Sequence, residues 1–177
     1  MTANYRELRD RYLGGDAYDF RAHVLPGIAL LMADEGSIDD AIELAGVNAE
    51  VHPESASAQQ AWLALRLEKT IDARGIEAAL AELAAMESTL SDDVLSPGLL
   101  DSLAWRLNRS EREAAGHALI EANFERFPDR YRALESMAFI LADTDRKERA
   151  FALLEDWLES NPDQARARRL LVNLRDE

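Results

Sequence analysis

Apolar residues in this chain recur at spacings of three and four, which is the period of one buried helix face, and they keep register with proline. Counting back from Pro53, Pro128 and Pro162, Leu25, Leu100 and Leu134 stand twenty-eight residues before, and Ile28, Leu103 and Met137 twenty-five before. Met32, Leu107 and Leu141 stand twenty-one before, and Leu44, Leu119 and Leu153 nine before. Two slots hold only small residues: Ala29, Ala104 and Ala138 at twenty-four before, and Ala41, Gly116 and Ala150 at twelve before. Small residues at fixed places in two apolar helices mark a close helix crossing. The pattern predicts helix–turn–helix units, with Pro128 and Pro162 separated by 34 residues.

Polar punctuation follows the same frame. NAEVHPES, NFERFPDR and WLESNPDQ each carry a glutamate, a proline and an acid. Proline ends one helix there, and the acid suits the N-terminus of the next. Ser37 with Asp40, Ser110 with Glu113, and Asp145 with Glu148 read as capping boxes opening the second helix of each pair. Ser96-Pro97 reads as an N-cap and first-turn proline. From Pro53 to Pro128 there are 75 residues, two periods plus seven, and the surplus falls around residues 70–96. A distorted second repeat is expected there, with Trp62 and Leu63 in place of an aliphatic residue and Ala. The expected organisation is a single domain: an N-terminal cap over 1–21 (Tyr5, Leu8 and Tyr12 on a short helix stopped by Gly14-Gly15), repeats over 22–53, 54–96, 97–128 and 129–162, and a capping helix over 163–177. In that last helix Leu170, Leu171 and Leu174 cover the preceding hairpin and four arginines face water.

Composition sharpens this picture. Thirty alanines against 8 glycines and 5 prolines favour helix. The net charge of −14 is concentrated: residues 34–101 carry fifteen acids against Arg66, Lys69 and Arg74. Such a field repels phosphate backbones, so nucleic acid is not an expected partner. It suits solubility, and it suits a basic partner. There is no cysteine for disulfide or thiolate chemistry. The longest apolar run, Val24 to Ala33, is far short of a membrane span. A cytoplasmic protein is expected, with no membrane association.

The period, small slots, caps and terminal prolines together resemble the tetratricopeptide repeat family over about residues 22–162. The resemblance implies an all-α, right-handed solenoid of about four helical hairpins that binds peptides on the concave surface lined by its first helices. Asn48 and Asn123 depart from it, since that slot is usually Ala in the family. DEGSIDDAIELAGVNAEVHPESASA is also similar to repeat segments carried behind the hydrolase domain of some bacterial α/β-hydrolase esterases. The hydrolase Gly-x-Ser-x-Gly elbow does not occur in this sequence.

Candidate chemistry is sparse. His23, His52 and His117 are scattered without metal-ligand spacing. Asp143-Thr-Asp145 begins like a calcium loop but lacks the central glycine. No catalytic group, metal or cofactor is expected. The slot that follows the small alanine holds Leu30, Trp105 and Phe139, and the slot four residues earlier holds Asp101 and Glu135 in the later repeats. Arg132 lies one turn earlier in its helix, and Asn108 with Arg109 continues the face of Trp105. Two large aromatics ringed by charge suit a partner-binding surface for a peptide or protein segment. The alternatives are that the aromatics pack on each other or under the N-terminal helix, or that they or the acidic segment join two copies of the chain as a homodimer; an enzyme or metal-binding protein is the third reading.

Overall fold

The computed structural model describes residues 21–176, together with Glu7 and Arg11. These two are helical and exposed, and they form an ion pair of 2.7 Å one turn apart. The predicted cap carried by Tyr5, Leu8 and Tyr12, with its stop at Gly14-Gly15, lies outside the described residues. Every element among the described residues is helical. The chain divides into two compact units, Met1–Ser96 and Pro97–Glu177.

The first unit contains α1 (Val24–Asp34), α2 (Ile38–Val51), α3 (Ala56–Arg74) and α4 (Ile76–Met86), followed by a 3-10 turn at Glu87–Thr89. The second contains α5 (Pro97–Arg109), α6 (Glu113–Arg126), α7 (Tyr131–Asp143), α8 (Lys147–Ser160) and α9 (Ala165–Asp176). Within each unit, helices pack on their neighbours in chain order, and first helices also touch: α1 with α3, α5 with α7, and α7 with α9. The small slots lie at the crossings, with Ala29, Ala41, Ala104, Ala138 and Ala150 all fully buried. At Gly116 a Cβ would stand 2.8 Å from the Ala104 carbonyl oxygen and still closer to the Asn108 side chain, so α5 and α6 approach too closely for any side chain there.

The turns differ from the predicted capping boxes. Ser37 precedes α2 but makes no side-chain cap, and the N-cap positions of α6 and α8 fall on Arg112 and Arg146. The Ser110 hydroxyl turns back instead, donating to the carbonyls of Arg106 and Leu107. The reason is a repeated backbone turn. Gly36, Glu111 and Asp145 adopt positive φ (88°, 62° and 57°) at the ends of α1, α5 and α7. The next amide then donates back five residues, Ser37 to Met32, Arg112 to Leu107 and Arg146 to Leu141, at 2.8, 3.1 and 2.9 Å. That bond closes a Schellman motif and starts the second helix without a side-chain cap. One predicted cap region does close conventionally: the Ser55 hydroxyl accepts the Ala58 amide at 3.3 Å, opening α3.

Between hairpins the proline sets the geometry. His52, Phe127 and Asn161, each preceding a proline, share φ of −126°, −128° and −133° with ψ of 63°, 57° and 63°, outside the α region that proline forbids to its predecessor. The Asn slot then pins this corner. Buried Asn48 donates to the Ala22 carbonyl at 2.9 Å and buried Asn123 to the Pro97 carbonyl at 3.0 Å, each 26 residues back. In the last hairpin Trp157 takes that slot and packs on Tyr131, 26 residues back, with ring centroids 6.1 Å apart.

The surplus around residues 70–96 is absorbed in two ways. Helix α3 runs 19 residues, where the other first helices of hairpins run 11 to 13. The segment after α4 then returns to α3, where the Gln60 amide donates to the carbonyls of Asp93 and Val94 and to the Ser96 hydroxyl while Val94 is buried. The added length of α3 carries Arg66, Thr70 and Arg74 to Glu82 on α4, at 2.6, 2.8 and 3.3 Å. Burial raises the Glu82 carboxyl's pKa, but the Thr70 hydroxyl and the two guanidiniums outweigh it and hold the carboxyl below the usual glutamate range.

Helix α9 packs on the last hairpin through its leucines. Leu170, Leu171 and Leu174 join the core beneath α7 and α8. The positions equivalent to Leu134, Ala138 and Leu141 are Arg168, Val172 and Arg175, all exposed.

Candidate functional site

In the second unit the first-helix slots converge on a cleft of about 430 Å³ between α5, α7 and the start of α9. Its floor is polar. Asp101 on α5 is buried and accepts from the Ser136 hydroxyl and from Arg132 Nε, the latter at 2.8 Å. Ser136 in turn accepts the Trp105 indole N–H at 3.3 Å, which fixes the indole plane. Phe139 meets Trp105 edge-on, with centroids 6.5 Å apart and planes 79° apart, and keeps 42 % of its surface exposed.

A second ion pair lies one repeat further along. Arg166 on α9 reaches Glu135 at 3.3 Å and stands over the Tyr131 ring at 5.7 Å. Burial, with Glu135 accepting the Tyr131 hydroxyl at 3.0 Å, pushes that phenol well above its usual pKa. Asp101 with Arg132 and Glu135 with Arg166 are both 31 residues apart. They form a ladder in which the carboxylate of one first helix binds the arginine of the next. The carboxylates lie low, with 5 % and 23 % of their side chains exposed, while the guanidiniums are 60 % and 66 % open. In both pairs the guanidinium is therefore the member open to solvent.

Beyond Phe139, on the same unit, a second depression of about 490 Å³ is floored by Ala142, Leu170 and Leu174 and rimmed by Asp143, Lys147 and Asn173. Phe139 is common to both hollows.

Of the candidates read from the sequence, the cleft brings together Asp101, Trp105, Arg132, Glu135 and Phe139. Asn108 lies elsewhere, its carboxamide oxygen buried beside Gly116, because the close crossing of α5 and α6 draws it inward. Arg109 is exposed in the last turn of α5, off the cleft lining. Leu30 is in the first unit, partly buried against the core of α1, α2 and α3. Tyr131, Ser136 and Arg166 escaped the sequence reading, although a signal existed: Arg132 and Arg166 are 34 residues apart, as are Asp101 and Glu135. Among the described residues no group of three His, Asp or Glu side chains is placed to hold a metal ion. No described helix is long and apolar enough to cross a membrane. No protein-family model matches the chain, and no curated protein matches it.

Proposed function

We propose that this chain is a non-catalytic protein-interaction module of the cytoplasm, built from tetratricopeptide-like hairpins that wind right-handedly within each unit. Its partner is a peptide or protein segment held in the cleft between α5, α7 and α9. The single observation that supports this most is Phe139, a large aromatic left 42 % exposed between two hollows. An exposed aromatic standing on a hydrogen-bonded, pre-ordered floor is the kind of residue that dominates binding energy when desolvated by a partner.

The experiment is selection of peptides from a displayed twelve-residue library on the immobilised chain, followed by affinity measurement on purified variants. Phe139→Ala should weaken selected peptides about 30-fold, the equivalent of a 2 kcal/mol anchor, with the helical melt almost unmoved. Trp105→Ala should weaken binding too, but it should also lower the melt, since it strips the partner from Ser136 above buried Asp101. Peptides that bind Phe139→Ala as well as the parent would overturn the reading. A Phe139-dependent dimer seen by sedimentation would transfer the surface to self-association.

A further inference from the structure

Resting on that reading, we infer that the partner segment is bipartite, with an acidic side chain received at Arg132 and Arg166 and an apolar side chain, a few residues away, seated beyond Phe139 on Leu170 and Leu174. The two hollows differ in chemistry, and Phe139 is the wall between them. In the first, each ion pair occupies only part of an arginine's donor fork: Arg132 engages Asp101 through Nε, and Arg166 engages Glu135 through one terminal nitrogen. A guanidinium has five N–H donors, so both can bind a further carboxylate without releasing the first. The acids beneath are the wrong shape for recognising a basic ligand. Asp101 is buried and already satisfied by Ser136 and Arg132, and Glu135 is held by Tyr131 and Arg166. A lysine entering this hollow would meet two exposed cations first, which is a repulsion that rejects basic segments.

The second hollow lacks such donors on its floor. Leu170 and Leu174 keep only 6 % and 5 % exposure and form a firm base, with polar groups confined to the rim. Apolar base and polar rim are the arrangement that takes a branched or aromatic side chain. Phe139 lines both hollows and is 42 % exposed, so a single segment spanning them would cover its ring. This charge preference is opposite to the one the surplus acids of the first unit suggest for their own surroundings, and it belongs to the second unit alone.

The test uses the full chain and ten-residue synthetic peptides with one Leu at a fixed position and Asp, Asn or Lys placed three to five residues away. Binding is followed by amide and indole NMR shifts. The Asp peptides should bind at least fivefold tighter than the Asn peptides and tenfold tighter than the Lys peptides, with shifts at Phe139 and the Trp105 indole. Replacing the peptide Leu by Ala should cost about tenfold. Arg166→Glu should invert the order, so that Lys peptides gain and Asp peptides lose. If that variant does not fold by circular dichroism, Arg166→Gln should cut Asp-peptide affinity severalfold and leave Asn-peptide affinity unchanged. Saturable binding at the cleft that ignores charge, or ignores the Leu, overturns this inference and leaves the interaction reading standing. No binding in the second unit from this series or from the library overturns both.

Discussion

Glu111 and Asp145 sit in left-handed backbone (φ 62° and 57°), where Gly36 sits in the first hairpin at 88°. A Cβ there meets the following carbonyl at a cost of roughly 1–2 kcal/mol, partly offset because glycine loses about 0.5–1 kcal/mol more entropy on folding. Glu111→Gly is therefore expected to stabilise the chain by about 0.5–1 kcal/mol in urea melts. Asp145→Gly should gain less, since a short polar side chain tolerates this region. Loss of stability in Glu111→Gly would mean that its side chain matters more than its backbone. The sequence displayed the glycine at position 36 and hid its equivalents, because nothing in the composition of Glu or Asp announces a positive φ. The three expected capping boxes do not form for a related reason: Ser37, Ser110 and Asp145 lie close to the turns, but the backbone bond to the carbonyl five residues back takes over the work of the cap.

At the scale of helices the small slots are legible in the three hairpins that close on Pro53, Pro128 and Pro162, where Ala or Gly recurs at fixed distances before the proline, whereas the second repeat carries Leu63 in that slot. Two glycines separate packing from propensity. A Cβ added at Gly27 in α1 would have nothing within 4 Å, so Gly27→Ala should stabilise by about 0.5–1 kcal/mol through helix propensity alone. Gly116→Ala gains the same propensity and yet should lose about 1–3 kcal/mol net, because its methyl strikes the Ala104 carbonyl. If both substitutions stabilise, α5 and α6 are not in the close contact described. The long α3 makes a different kind of prediction. Glu82 has a lowered pKa in the folded chain, so its contribution is present above the unfolded glutamate value of about 4.5 and is lost as pH falls through the folded value below it. Glu82→Gln should destabilise at neutral pH and show a flatter loss of stability between about pH 5 and 3 than the parent. Parallel acid curves for the two proteins would remove Glu82 from the account. Sequence reading placed the irregularity at residues 70–96 but not its use, because the Gln60 bonds and the Arg66–Thr70–Glu82 cluster join positions that follow no repeat.

Over the whole molecule, charge follows the division into units. Residues 1–96 carry eighteen acids against seven Lys and Arg, and residues 97–177 carry sixteen against thirteen, so the formal charges are −11 and −3. Like charges at this density oppose compaction, and salt relieves the opposition over a screening length of about 10 Å at 0.1 M. In the second unit most of the charge is already balanced, and its ladder of Asp101–Arg132 and Glu135–Arg166 pairs weakens on screening. The cleft candidates Asp101, Trp105, Arg132, Glu135 and Phe139 are legible as slots because slots repeat, whereas the bonds that order them, from Ser136 on α7 to α5 and from Arg166 on α9 to α7, depend on which first helices lie side by side. Salt should thus act on the two units in unequal measure. Trp62 reports on the first unit, and Trp105 and Trp157 on the second. A variant keeping only Trp62 should melt at higher temperature as sodium chloride rises from about 20 to 300 mM, a span over which the screening length falls several-fold. One lacking Trp62 should report a midpoint that stays level or falls slightly. An equal rise for both reporters would show that the surplus acids do not strain the first unit, and that their placement there serves solubility alone.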